Sequence, residues 1–174
     1  MEIQQMLAKL MAKNTAEYLS MGPGTFLPIP RLYPPASAAQ IAALEQRAGQ
    51  RLEPGYREFL LLTDGMDGFN MTMPLFGCHD WDEGVRVAEA LVFLAGIHED
   101  ATTEDVGLPA DVGLFPVSVD DDRTRAIFML DCPDALPERF WKIGEGSSSF
   151  FGTFTDMLGF TLDPHSYAPR ETIA

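Results

Sequence analysis

The chain has 174 residues, 46% hydrophobic and 22% charged, which suits one soluble globular domain with a proper core. Its formal charge is −14, from 26 acidic and 12 basic residues. That balance argues against nucleic acid and against an anionic membrane surface, since both are held through Lys and Arg, and no window reaches the roughly 18 apolar residues of a membrane span.

Glu2 to Leu19 places Ile3, Met6, Leu7, Leu10 and Met11 on one side and reads as an amphipathic helix that covers the domain. A partner-binding or dimerising helix is the sharper alternative. Residues 22–35 carry Pro23, Pro28, Pro30, Pro34 and Pro35. Proline lacks an N–H and clashes within helices, so this stretch is an extended connector. Ser37, with Gln40 three residues on, forms a capping box. Ile41, Leu44 and Ala48 then give a helical apolar face that stops at Gly49. Pro54 opens a second helix, whose apolar surface is Tyr56, Phe59, Leu60 and Leu62, and Thr63-Asp64-Gly65 ends it.

Met73 to Cys78 is expected as a short strand. Glu83 to Ala95 is expected as a helix burying Val87, Leu91 and Leu94, and Gly96 to Asp111 as an acidic loop. Gly113–Val119 and Arg125–Asp131 form a hairpin across Asp120-Asp121-Asp122-Arg123-Thr124. Phe140 to Ile143 adds a third strand, with Phe140 and Trp141 on opposite faces. Gly144 to Ser149 reads as a turn whose serines cap a last helix carrying Phe151, Phe154, Met157 and Leu158. The whole is an α+β single domain, mainly antiparallel sheet covered by helices. Its division is 1–21 (N-terminal helix), 22–35 (connector), 36–162 (domain) and 163–174 (tail).

No constellation for catalysis stands out. His79, His98 and His165 lack metal-ligand spacing to a second His or Cys. Cys78 and His79, read as strand neighbours, point to opposite faces and make no dyad. Asp80-x-Asp82-Glu83 and Asp120-Asp121-Asp122 offer oxygens to a hard cation but do not match the twelve-residue calcium loop. The Gly-rich turns lack the Lys-Ser/Thr of a phosphate loop. The expectation is a protein that is not an enzyme and holds no metal and no cofactor. Cys78 and Cys132 are expected as free thiols. With no basic-then-apolar leader at the N-terminus, the expected compartment is the cytoplasm.

The charge is uneven. Residues 64–122 hold fourteen acids and one base, Arg86, while the remaining residues nearly cancel. Such a field either solvates the surface or steers a basic protein partner. Candidate partner-binding residues are Asp64, Asp67, Asp80, Asp82, Glu83 and Asp120, Asp121 and Asp122. Trp81, set among these acids, is either a core-edge residue or an exposed interface anchor.

Ile41, Leu44, Glu45, Arg47, Gly49, Leu52, Pro54, Tyr56, Phe59 and Leu60 follow one another in an order that resembles the SUKH superfamily, which includes a fungal regulator of cell-wall assembly and many bacterial immunity proteins. Glu53-Pro54-Gly55 departs from that family's Leu-Pro-polar step, and Asp64-Gly65 stands in place of its Asn-Gly turn. Leu75-Phe76-Gly77, Phe115-Pro116-Val117 and Ile127 to Asp131 resemble its strands, and Phe150 to Leu158 its closing helix. The resemblance spans roughly residues 35–160. It implies a protein-binding module, an immunity protein that neutralises a basic, nuclease-type toxin; a monomer or weak dimer is expected. A regulatory or scaffolding protein of the same fold, binding host proteins, is the alternative.

Overall fold

A computed structural model describes residues 2–100, 102–132 and 136–173, with the side chain of Glu83 outside the described set. Its elements follow from local signals. Helix α1 (Ile3–Met21) turns Ile3, Met6, Leu7 and Leu10 inward. Helix α2 (Ala38–Ala48) starts on the Ser37–Gln40 capping box and ends at Gly49, whose φ of 66° only glycine adopts without strain. Helix α3 (Pro54–Leu62) has Pro54 in its first turn and Glu53 as its cap, accepting from the Tyr56 N–H at 3.0 Å.

Two antiparallel sheets follow. The first has the order β1 (Arg31–Leu32), β2 (Met66–Asn70) and β3 (Met73–Leu75). Strand β1 is a two-residue edge within the proline-rich connector, where a missing N–H is tolerated. The second sheet is a meander of β4 (Gly113–Val119), β5 (Arg125–Asp131), β6 (Phe140–Gly144) and β7 (Ser147–Phe151). A bulge between Pro116 and Ser118 bends β4. There it meets the end of β3, and Phe76 N–H donates to Val117 O at 2.9 Å.

Alternation along the second sheet builds two cores. Phe115, Val117, Ile127, Met129, Phe140 and Phe151 face α1, α3 and helix α7 (Phe154–Leu162). Val119, Ala126, Phe128, Leu130, Trp141 and Phe150 face the other way, onto helix α5 (Val85–Glu99). A sheet covered on both faces explains why β5 reads Ala-Ile-Phe-Met-Leu without a polar break. The N-terminal helix is therefore part of the main core. The tail is tied as well: Phe150 pairs with Arg170, and Ile173 N–H donates to Val106 O at 2.8 Å.

The architecture is α+β, as the sequence implies, but four local expectations are corrected. Cys78–Glu83 is helix α4 rather than the end of a strand. Helix α5 runs on to Glu99, and Thr102–Asp105 forms a short helix, α6, where a loop was expected. Ser147–Phe151 is a paired strand rather than a capping turn, and the cap of α7 is Thr153. Leu91 faces out of α5, whose buried residues are Val87, Ala90 and Ile97.

Candidate functional site: an acidic partner-binding surface

The acids singled out in the sequence divide into an inward and an outward set. Asp64, at the end of the turn after α3, is 5% exposed. Its carboxylate accepts from the backbone N–H groups of Cys78 and His79, the first of α4, and stands 3.1 Å from His79 Nδ1. A negative charge there satisfies donors that the helix cannot satisfy itself. Asp80 accepts from the Gly77 N–H at 2.8 Å and approaches Arg86 at 3.4 Å. Burial, against the opposing pull of the Gly77 N–H and of His79, raises its carboxyl above the ordinary range. Asp67 pairs with Arg86 at 2.7 Å and accepts the Tyr33 hydroxyl at 2.6 Å.

Asp120 is the most enclosed, at 1% exposure. It accepts four hydrogen bonds: Thr124 N–H at 2.8 Å, Thr124 Oγ1 at 2.7 Å, Arg125 N–H at 3.0 Å and Arg125 Nε at 3.0 Å. Burial pushes its carboxyl up, but these donors together outweigh it and hold the group below the ordinary carboxylate value. Asp64, Asp67, Asp80 and Asp120 thus have their partners inside the fold.

Asp82, Asp121 and Asp122 are exposed. Glu83 ends α4, and its side chain lies outside the described residues. Trp81 is half-buried, stacked on Phe115 with ring centres 4.6 Å apart, and Arg47 lies over it at 5.8 Å. It sits at the edge of the core and lines a small surface pocket with Gln40, Arg47 and Asp82.

The inward set ties side chains to one another and to the backbone. His79 is bracketed by carboxylates, Asp64 at 3.1 Å and Asp80 at 3.6 Å. Burial, with Asp64 beside it, pushes the Cys78 thiol up to about 12, so it carries almost no nucleophilic thiolate at neutral pH. Among the described residues, no group of three or more His, Cys, Asp or Glu is arranged to hold a metal ion. No described helix is long and apolar enough to cross a membrane.

Sequence reasoning missed the outward side of α5. Val85, Leu91 and Val92 are 75%, 48% and 54% exposed there. Beside them a cleft of about 540 Å³ opens between α5 and the β4–β5 turn, with Phe93, Ile97 and Ile143 among its apolar walls. Asp100, Asp122 and Arg123 supply its polar walls. Glu89 reaches across to Arg123 at 3.2 Å. The available signal was composition: apart from Arg86 and Glu89, Val85 to Ile97 is apolar, and Ala90 to Ile97 is an unbroken apolar run.

No protein-family model matches this chain, and no curated protein matches it.

Proposed function

We propose that the protein is a non-catalytic, protein-binding module: a SUKH-type immunity protein that binds a basic, nuclease-type toxin in the cytoplasm and neutralises it by covering the surface meant for nucleic acid. The observation that carries this reading is the split of its acids. The inward carboxylates are matched by internal donors, whereas Asp82, Asp100, Asp121 and Asp122 face solvent with a single arginine, Arg123, near the last of them. An unneutralised surface of that kind accelerates encounter with a basic partner and opposes nucleic acid. The order of residues 41–60 adds the class of protein.

The test is capture from lysate of the source cell with this chain as bait, followed by an activity assay on what is recovered. A single basic toxin domain at stoichiometric level, whose nuclease activity the added protein abolishes, is the expected outcome. Recovery of only housekeeping or signalling proteins, with no toxin encoded alongside, would replace the reading with a regulatory scaffold. Association should also slow steeply as salt rises, because exposed charges are screened over about 10 Å at 0.1 M.

A further inference from the structure

Most amphipathic helices bury their apolar residues and stop. Helix α5 does not. Its inner side buries Val87, Ala90 and Ile97, the last two in the core on the second sheet. Its outer side still carries Val85, Ala88, Leu91, Val92 and Ala95, all exposed. Ala88, Leu91, Val92 and Ala95 are three and four apart, so they form one stripe along the helix. A continuous apolar stripe facing water is the usual mark of a contact surface.

Gly96 is a second, independent observation. It lies well inside α5, where glycine is about 1 kcal/mol worse than alanine. No packing demand explains it: a Cβ built there meets nothing within 4 Å. Its missing side chain leaves the wall of the adjoining cleft open. Val92, Phe93 and Ile97 of α5 line the same cleft, so the glycine leaves a gap in a wall that its helical neighbours otherwise complete.

Charge names the occupant. Residues 82–122 hold eleven acids and one base, Arg86, which is turned to Asp67 and Asp80; the next residue, Arg123, lines the cleft and pairs with Glu89, a single cation against three acids there. Glu89, Asp100 and Asp122 stand around the stripe and cleft. A second copy of this chain, docked by a two-fold axis, would set these acids against one another. A partner with Lys and Arg flanking an apolar edge would meet them favourably.

We propose that the outer face of α5 is the docking surface for a basic amphipathic helix of the protein partner. Its apolar edge lies along Ala88, Val92 and Ala95, one side chain enters the cleft at Gly96, and its cations face Glu89, Asp100 and Asp122. This deepens the protein-binding reading above and rests on it for the existence of such a partner.

The experiment titrates the isotope-labelled full chain with a synthetic Lys/Leu amphipathic helix and, separately, with its Glu/Leu twin, reading amide shifts. The Lys/Leu peptide should move resonances at 88–97, 122–123 and 143–144 in a saturable way, and the Glu/Leu twin should not. Gly96→Leu, which fills the cleft, and the double variant Leu91→Ser/Val92→Ser should each weaken binding by about tenfold or more, with melting no lower for Gly96→Leu. Equal binding of both peptides, shifts centred elsewhere, or unchanged affinity in Gly96→Leu would overturn the proposal. So would a wild-type dimer that the double variant converts to monomer, because the occupant would then be a second copy. The two readings fail separately. A captured toxin whose binding ignores these variants removes α5 alone. A specific peptide response with no toxin captured removes the immunity reading alone.

Discussion

The enclosed aspartates, Asp64 beside α4 and Asp120 in the β4–β5 turn, differ from the exposed pair Asp121 and Asp122 in what answers their charge. Asp64 and Asp120 are almost fully enclosed: Asp64 is answered by the N–H groups of Cys78 and His79 and by the His79 ring, Asp120 by N–H groups and the Arg125 guanidinium. Asp121 and Asp122, adjoining Asp120 in sequence, face water. One acidic run therefore serves two purposes: one member builds the turn and its neighbours are left free. The difference teaches that a charge count cannot separate enclosed structural acids from solvent-facing ones, because the separation lies in geometry.

Removing the enclosed members should have the largest effect. Asp120→Ala leaves Arg125, 16% exposed, without its carboxylate and strands two N–H groups, so unfolding stability should fall by about 3–4 kcal/mol. Asp64→Ala uncaps α4 and should lose about 2–3 kcal/mol. Asp121→Ala and Asp122→Ala should stay within about 0.5 kcal/mol of the parent. Urea unfolding of the four variants decides the matter, and comparable losses at 120 and 122 would erase the distinction.

Acid sharpens the comparison within the enclosed set. Asp120 has a depressed carboxyl, so its stabilisation is full above the unfolded value of about 3.9 and is lost as pH falls through its lower native value. Asp80 has a raised carboxyl, so its ionised form is the disfavoured one, and acidification from its native value down to about 3.9 adds stability. In urea midpoints followed from neutral to strongly acid solution, Asp120→Asn should flatten the steepest loss. Asp80→Asn should instead remove a gain at slightly higher pH. Identical profiles for the two would mean that their surroundings do not differ as described.

What the sequence disclosed follows the same division between local and distant causes. The α2 capping box, the proline start of α3 and the β4–β5 hairpin are each written within a few residues, and each stands where local chemistry puts it. Helix α4 was illegible because its cap is Asp64, fourteen residues earlier, and six residues beginning Cys-His-Asp carry no helical period of their own. Strand β7 was illegible because Ser147-Ser148-Ser149 is turn-like by composition and becomes a strand by pairing with β6. The inward fate of Asp67 depends on Arg86, nineteen residues on. The outer face of α5 could have been suspected from its unbroken apolar run, but only burial shows which side the sheet takes.

Gly96→Ala probes the outward side with a smaller effect. The added methyl meets open space, and alanine is the better helix former, so stability should rise by about 0.5–1 kcal/mol. A thermal melt checks it; a loss would mean that the space beside Gly96 is already filled. A gain would sharpen the contrast with Asp120, since the native residue at 96 is then the less stable choice and at 120 the more stable one.

The smallest expected change is at Arg123, where the two sides meet. Its backbone adopts a φ of 56° in the β4–β5 turn, a conformation that asparagine tolerates better than arginine. Its guanidinium pairs with Glu89, but both groups are about half exposed, and such pairs contribute about 0–1 kcal/mol. Relief of the backbone and loss of the pair oppose each other, so Arg123→Asn should leave stability within about 0.5 kcal/mol of the parent. Its effect on encounter should be plain, because the cleft loses its one cation and Glu89 is freed. Association with a Lys/Leu amphipathic peptide, followed by stopped-flow at low salt, should become faster, and the gain should vanish at high salt. An unchanged rate would mean that charge at this rim does not steer binding, and the outward acids would then only solvate the surface.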